Sequence, residues 1–210
     1  VGAVLTFDAP PIIGVAHGLA PVGPVYTVTR AQDRVLAELD ERPAFSAFAE
    51  HARPLLDDLE RAAQSVFLVE SAQPQSFARP ASDPVEDDFL VRGFLKFDPD
   101  EGLLAVSEPI AEGTRVRFAV LSPPLARERL RRMANEVKHA LGARSPRWGW
   151  YLNCAGRGEA FFGAPDHDVA FIQDVLGRFP LAGCFGGGEI APVRGRPELS
   201  LFAGVLVAVP

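Results

Sequence analysis

The sequence is short of the features that mark several protein classes. It holds two cysteines, Cys154 and Cys184, in 210 residues, too few for the disulfide framework of a small secreted scaffold. Its four histidines, His17, His51, His139 and His167, fall at no ligand spacing, so neither a metal centre nor a cofactor is expected. Basic charge is scarce as well. The 21 Lys+Arg stand against 27 Asp+Glu, a net charge of −6, which argues against nucleic acid and anionic membrane surfaces as partners. The longest apolar-rich run, Leu199 to Val209, falls far short of the roughly 20 residues of a spanning helix. The N-terminal stretch lacks a basic region, and Asp8 with Pro10 and Pro11 interrupts it, unlike a signal peptide. These absences lead to the expectation of a cytoplasmic protein without membrane insertion.

What is present suits an ordinary globular fold. The chain is 48% hydrophobic and 23% charged, and its length can bury a sizeable core. Residues 11–39 read as short strands, with Val25–Thr29 β-branched and aromatic and Val35–Leu39 alternating. Residues 44–63 have a helical pattern that Pro54 must break, and 65–69 read as a strand. Residues 71–87, rich in Gln, Ser, Pro and Asp, read as a loop or lid. Strands are expected at 89–97, 103–106 and 115–121. Ser122-Pro123 then opens a long helix, in which Leu130, Met133, Val137 and Leu141 form one apolar stripe. The last third predicts a strand at 148–154, a helix at 165–176 closed by Gly177, a strand at 181–185 and a final strand at 199–209. The fold class is therefore α/β, a mixed sheet flanked by helices with a C-terminal β-α-β unit.

The stretch P-L-A-G-C-F-G-G-G-E-I-A-P, 180–192, carries the functional question. A phosphate cradle is excluded, because the glycines lead to Glu189 and then Pro192 rather than into a helix, and a carboxylate repels phosphate. Two readings stay open: a structural turn that leaves Glu189 in solvent, and a small-molecule pocket. A β-α-β unit with a right-handed crossover makes its two strands parallel and brings both carboxyl ends to one edge, where open α/β sheets bind ligands. That edge collects Asn153, Cys154, Gly156 and Arg157 beside Cys184, Phe185, Gly186, Gly188 and Glu189. A polar or zwitterionic molecule suits it. Arg92, a charge between Val91 and Phe94 on a strand, leaves two readings open: an arginine on the solvent face of an alternating strand, or a further candidate that faces this edge and pairs with a ligand carboxylate or with Glu189. Cys154 on its Gly-rich turn raises a thiol enzyme as an alternative, with His167 the one base to name. A buried thiol packed as a small hydrophobe competes with that reading.

Taken together, N-C-A-G-R-G (153–158), D-x-x-x-I (168–172) and the glycine stretch resemble the C-terminal domain of the FIST family, the F-box and intracellular signal transduction proteins. V-R-G (91–93), D-P-D-E-G (98–102), A-P-V-G-P-V-Y-T-V-T-R (20–30) and E-L-D-E-R-P-A (38–44) are similar to that family too. The resemblance covers nearly the whole chain. It implies that residues 1–40 end an N-terminal FIST domain and that 41–210 form the C-terminal one. It also implies a sensory module of bacterial signalling, with small molecules such as amino acids as ligands and a signalling protein as partner. Eukaryotic relatives carry an F-box and recruit proteins, so a recruitment scaffold is the third class of function.

Overall fold

The computed structural model describes residues 4–53, 57–71, 89–193 and 196–210. In chain order its elements begin with β1 (Ile12–His17), β2 (Leu19–Gln32), β3 (Val35–Leu39) and the two-residue β4 (Arg42–Pro43). They continue with α1 (Ala44–Ala52), α2 (Leu59–Ser65), β5 (Val66–Ser71), β6 (Phe89–Arg92), β7 (Phe94–Asp98), β8 (Leu103–Val106) and β9 (Arg115–Leu121). The rest comprises α3 (Pro123–Leu141), β10 (Trp148–Cys154), a 3-10 turn (Ala155–Arg157), α4 (Glu159–Phe162) and α5 (His167–Leu176). Four strands finish the chain: β11 (Leu181–Gly186), β12 (Glu189–Val193), β13 (Arg196–Ser200) and β14 (Ala203–Val209). The chain forms two compact units, one built from Leu19–Leu121 and the other from the segments on either side of it.

The Leu19–Leu121 unit is an antiparallel sheet in the order β6-β5-β9-β2-β3-β8-β7, with β4 on β3. Its core centres on Phe48 of α1. That ring is fully buried, with ring centroids of Phe97, Phe94 and Phe118 at 4.6, 5.2 and 6.1 Å. Burying one such side chain stabilises by about 1.5–3 kcal/mol. The helical pattern of 44–63 is two helices, with Pro54 outside the described residues, and α2 starts at its own cap, where Asp58 accepts from the Arg61 N–H at 2.9 Å. The expected strand 89–97 is two strands. They part at Gly93, whose N–H leaves the ladder to donate to the Ser107 hydroxyl at 3.2 Å. The short strands expected over 11–39 include one of 14 residues, β2, with a register shift between Val22 and Tyr26. Of residues 71–87, read as a loop or lid, only Ser71 lies within the described residues, and it ends β5.

The other unit is a four-stranded mixed sheet, β1-β14-β10-β11, beside the two-stranded β12-β13. β14 runs antiparallel to both β1 and β10, while β10 and β11 are parallel. Helix α3 begins where Ser122 caps it, its hydroxyl accepting from the Leu125 N–H at 3.4 Å, and ends at Gly142. All four stripe residues are buried, packed with Ala16, Leu206 and Ala208 of the sheet and with Ile172 and Leu176 of α5. The β-α-β unit is therefore present with the strands where the sequence places them. α5 begins two residues later than expected, after Asp166 in a left-handed conformation. The final strand expected at 199–209 is instead β13 and β14. They are divided at Leu201-Phe202, where Phe202 takes φ of 54°.

Candidate functional site

Strand alternation and the parallel register set the site. Tyr151 and Asn153 lie on one face of β10, i and i+2, turned toward α5 and buried. The register aligns Asn153 with Phe185 and Cys154 with Gly186, so the carboxyl ends of β10 and β11 lie side by side. From β10 the chain enters the 3-10 turn, which carries Arg157 inward until it is 1% exposed.

A guanidinium withdrawn from water requires a partner, and Asp168 of α5 supplies it. Asp168 Oδ2 accepts from Arg157 Nη2 at 3.0 Å, and the two side chains are 0% and 2% exposed. The same oxygen accepts from the Tyr151 hydroxyl at 2.7 Å and from Asn153 Nδ2 at 3.3 Å. Asn153 Oδ1 accepts from Arg157 Nε at 3.1 Å. Asp168 Oδ1 meets His167 Nδ1 at 3.0 Å. His167 in turn stacks on Phe162, at 4.0 Å between centroids and an interplanar angle of 8°, and the Arg157 guanidinium stands 5.3 Å from the same ring. Burial, followed by the Asp168 charge, raises the Tyr151 hydroxyl well above its ordinary range, so it serves as a donor. The network holds Arg157 rigidly but leaves its Nη1 without a hydrogen-bond partner among the described residues.

Glu189 opens β12 directly after the glycines and is 3% exposed. This excludes the reading in which it faces solvent. Its Oε2 accepts a long hydrogen bond from the Ala203 N–H at 3.4 Å, and its Oε1 has no partner among the described residues. Burial outweighs both that hydrogen bond and the Arg157 charge, and pushes the carboxyl up to about 7. Glu189 makes no hydrogen bond to Arg157, which Asp168 holds instead. Cys154 is buried, and burial pushes its thiol up, with the Glu189 charge adding to the effect against backbone hydrogen bonds from Gly156 and Phe202. A nucleophilic cysteine needs the opposite shift. His167, the candidate base, is engaged with Asp168. Neither cysteine is in a disulfide, and Cys184 is exposed.

The expected site residues thus fall into three places. Cys154, Gly156, Arg157, Gly186, Gly188 and Glu189 gather around the carboxyl ends of the parallel pair. Asn153, Cys184 and Phe185 line a cavity of about 160 Å³, with Tyr151 and Val169 among its other walls. Arg92 belongs to the Leu19–Leu121 unit, where it pairs with Glu70 of the adjacent strand at 3.0 Å. Sequence reasoning missed Tyr151, though its i, i+2 spacing from Asn153 was an available signal. It also passed over Asp168 as an anchor, and Ser200 and Phe202, which the reading of one long strand absorbed. Among the described residues no group of three His, Cys, Asp or Glu side chains could hold a metal ion. No helix there is long and apolar enough to cross a membrane.

The family profile of the FIST C domain matches residues 44–192, which include both the N-C-A-G-R-G and glycine motifs. The chain belongs to the FIST C domain family. Among similar proteins is an uncharacterized protein of Mycobacterium tuberculosis, 35% identical over 188 residues, covering 90% of this chain and 48% of that protein. An uncharacterized protein of Mycobacterium bovis is 34% identical over 189 residues, covering 90% and 47%. The chain therefore spans about half the length of these curated relatives. The FIST C match stops short of Ser200 and Phe202.

Proposed function

We propose that this FIST C chain is the ligand-binding part of a sensory module in signal transduction. It takes a small polar molecule with an amino group, an amino acid, at the carboxyl edge of β10 and β11. Glu189 accepts from the amino group, Arg157 and the glycine-freed backbone at Gly186 and Gly188 hold the carboxylate end, and Asn153, Cys154, Gly156, Cys184 and Phe185 shape the surroundings. The observation that carries this is Glu189, a buried carboxyl beside the triple glycine with one oxygen unfilled. Withdrawing such a group from water costs several kcal/mol unless a ligand or partner compensates. Family membership supports the signalling role, a cytoplasmic setting and a signalling protein downstream. The match from residue 44 supports reading 1–40 as the end of a preceding FIST N-terminal domain and 41–210 as the C-terminal one. The raised Cys154 thiol weighs against a thiol enzyme.

The test is a thermal-shift screen of amino acids and small carboxylates. A ligand at a hundred times its Kd stabilises by about 2.7 kcal/mol, a visible rise in the midpoint. If no member of the screen raises it, the reading fails.

A further inference from the structure

Buried polar atoms are almost always hydrogen-bonded, so a cluster that is not calls for an explanation. In this unit Arg157 Nη1, Glu189 Oε1 and Ser200 Oγ have no hydrogen-bond partner among the described residues, and the three residues are 1%, 3% and 1% exposed. The three residues adjoin the turn between β13 and β14. The Ala203 N–H holds Glu189 Oε2, and the Gly18 N–H donates to the Phe202 carbonyl at 2.8 Å. A Cβ placed on Gly18 would lie 3.2 Å from Arg157 Nη1 and 3.3 Å from that same carbonyl. Ser200 ends the strand paired with the one Glu189 begins, and a Cβ on Gly188 would lie 3.4 Å from its carbonyl oxygen.

The turn is also strained. Of the non-glycine residues with positive φ among those described, four are Asp or Glu and the fifth is Phe202, at 54°. For a bulky side chain that conformation is an outlier, and such strain concentrates at ligand clamps and switches. The Phe202 ring closes over Gly156, where an added Cβ would stand 2.4 Å from a ring carbon.

We infer that this turn completes the ligand site, with the Ser200 hydroxyl as a third polar contact beside Glu189 and Arg157 and Phe202 as the cover. The inference rests on the binding reading above and sharpens it. A molecule that satisfies all three atoms is a compact zwitterion with one further hydrogen-bonding group. Sites built to bond a hydroxyl reject the analogue that lacks it, so the chain separates L-serine from L-alanine.

Calorimetry with these two amino acids on the 210-residue chain and on Ser200→Ala provides the test, together with melting curves without additions. The wild type binds L-serine at least about 10-fold more tightly, and Ser200→Ala brings the ratio near one. Removing an unfilled buried hydroxyl also raises the ligand-free midpoint, by about 2–4 °C. An unchanged ratio in the variant overturns the inference, and so does a lowered midpoint, which would reveal a structural partner for Ser200. If neither amino acid binds the wild type, the ligand class proposed above is wrong. A raised ligand-free midpoint then still supports the turn as a site, and a lowered one still overturns it.

Discussion

The Tyr151 hydroxyl fills the space a side chain at Gly204 would need. A Cβ on Gly204 would lie 2.0 Å from that oxygen, the same oxygen that donates to Asp168 at 2.7 Å. Gly204→Ala must therefore shift the ring or the strand, and either breaks the bond. Overpacking and the orphaned buried group together cost about 2–4 kcal/mol. Urea denaturation checks this: an unchanged midpoint would mean that Tyr151 moves freely and that the network is loose.

Asp168 compensates the buried Arg157. Asp168→Ala leaves that guanidinium with no carboxylate, and breaking a buried pair in this way costs about 3–5 kcal/mol. A loss below about 1 kcal/mol in the same denaturation experiment would show that water already reaches the pair.

Glu189 sets a pH dependence with a definite sign. Its carboxyl titrates near 4.5 when unperturbed and at about 7 in the fold, so between those values the folded state holds a proton the unfolded chain has released. Its contribution to stability is then full below pH 4.5 and is lost as the pH rises through 7. Glu189→Gln has no proton to lose. It should gain on the wild type across that window and level off above it, by about 1–3 kcal/mol. A difference that stays flat with pH would place Glu189 in water-like surroundings.

Arg92 pairs with Glu70 on the adjacent strand of its own unit. Arg92→Ala orphans a largely buried carboxylate and costs about 1–3 kcal/mol in the same urea experiment. An unchanged midpoint would show that solvent screens the pair.

The cysteines should differ in reactivity. Cys184 is exposed and Cys154 buried with a raised thiol. Iodoacetamide on the native chain should add one group, at Cys184, and a second only after unfolding. Two additions at comparable rates would contradict the placement of Cys154.

The legible parts of this fold are those in which local periodicity and burial agree. The i, i+3, i+7 stripe of α3 and the lengths of the β-α-β elements told the same story as the tertiary contacts. Leu199 to Val209 misled because its composition is that of one strand, and no Gly or Asn marks the left-handed turn that Phe202 takes. The ion pairs were out of reach for a different reason. Arg92 with Glu70 and Arg157 with Asp168 depend on which strands and helices become neighbours, and nothing in their own surroundings encodes that choice. Glu189 was legible as a question, but its burial depends on the turn at 200–203 that the sequence concealed.

The place of β14 also constrains how the protein is made. It is the inner strand between β1 and β10, yet it is synthesised after both. On the ribosome, β1, α3 and β10 must wait with apolar surface uncovered until Ala203–Val209 emerges, whereas Leu19–Leu121 has all of its strands in hand by then. Pairing β1 with β14 joins residues from opposite ends of the sequence, a late contact that carries a heavy loop-closure cost and slows folding. Until then the waiting surface is open to aggregation.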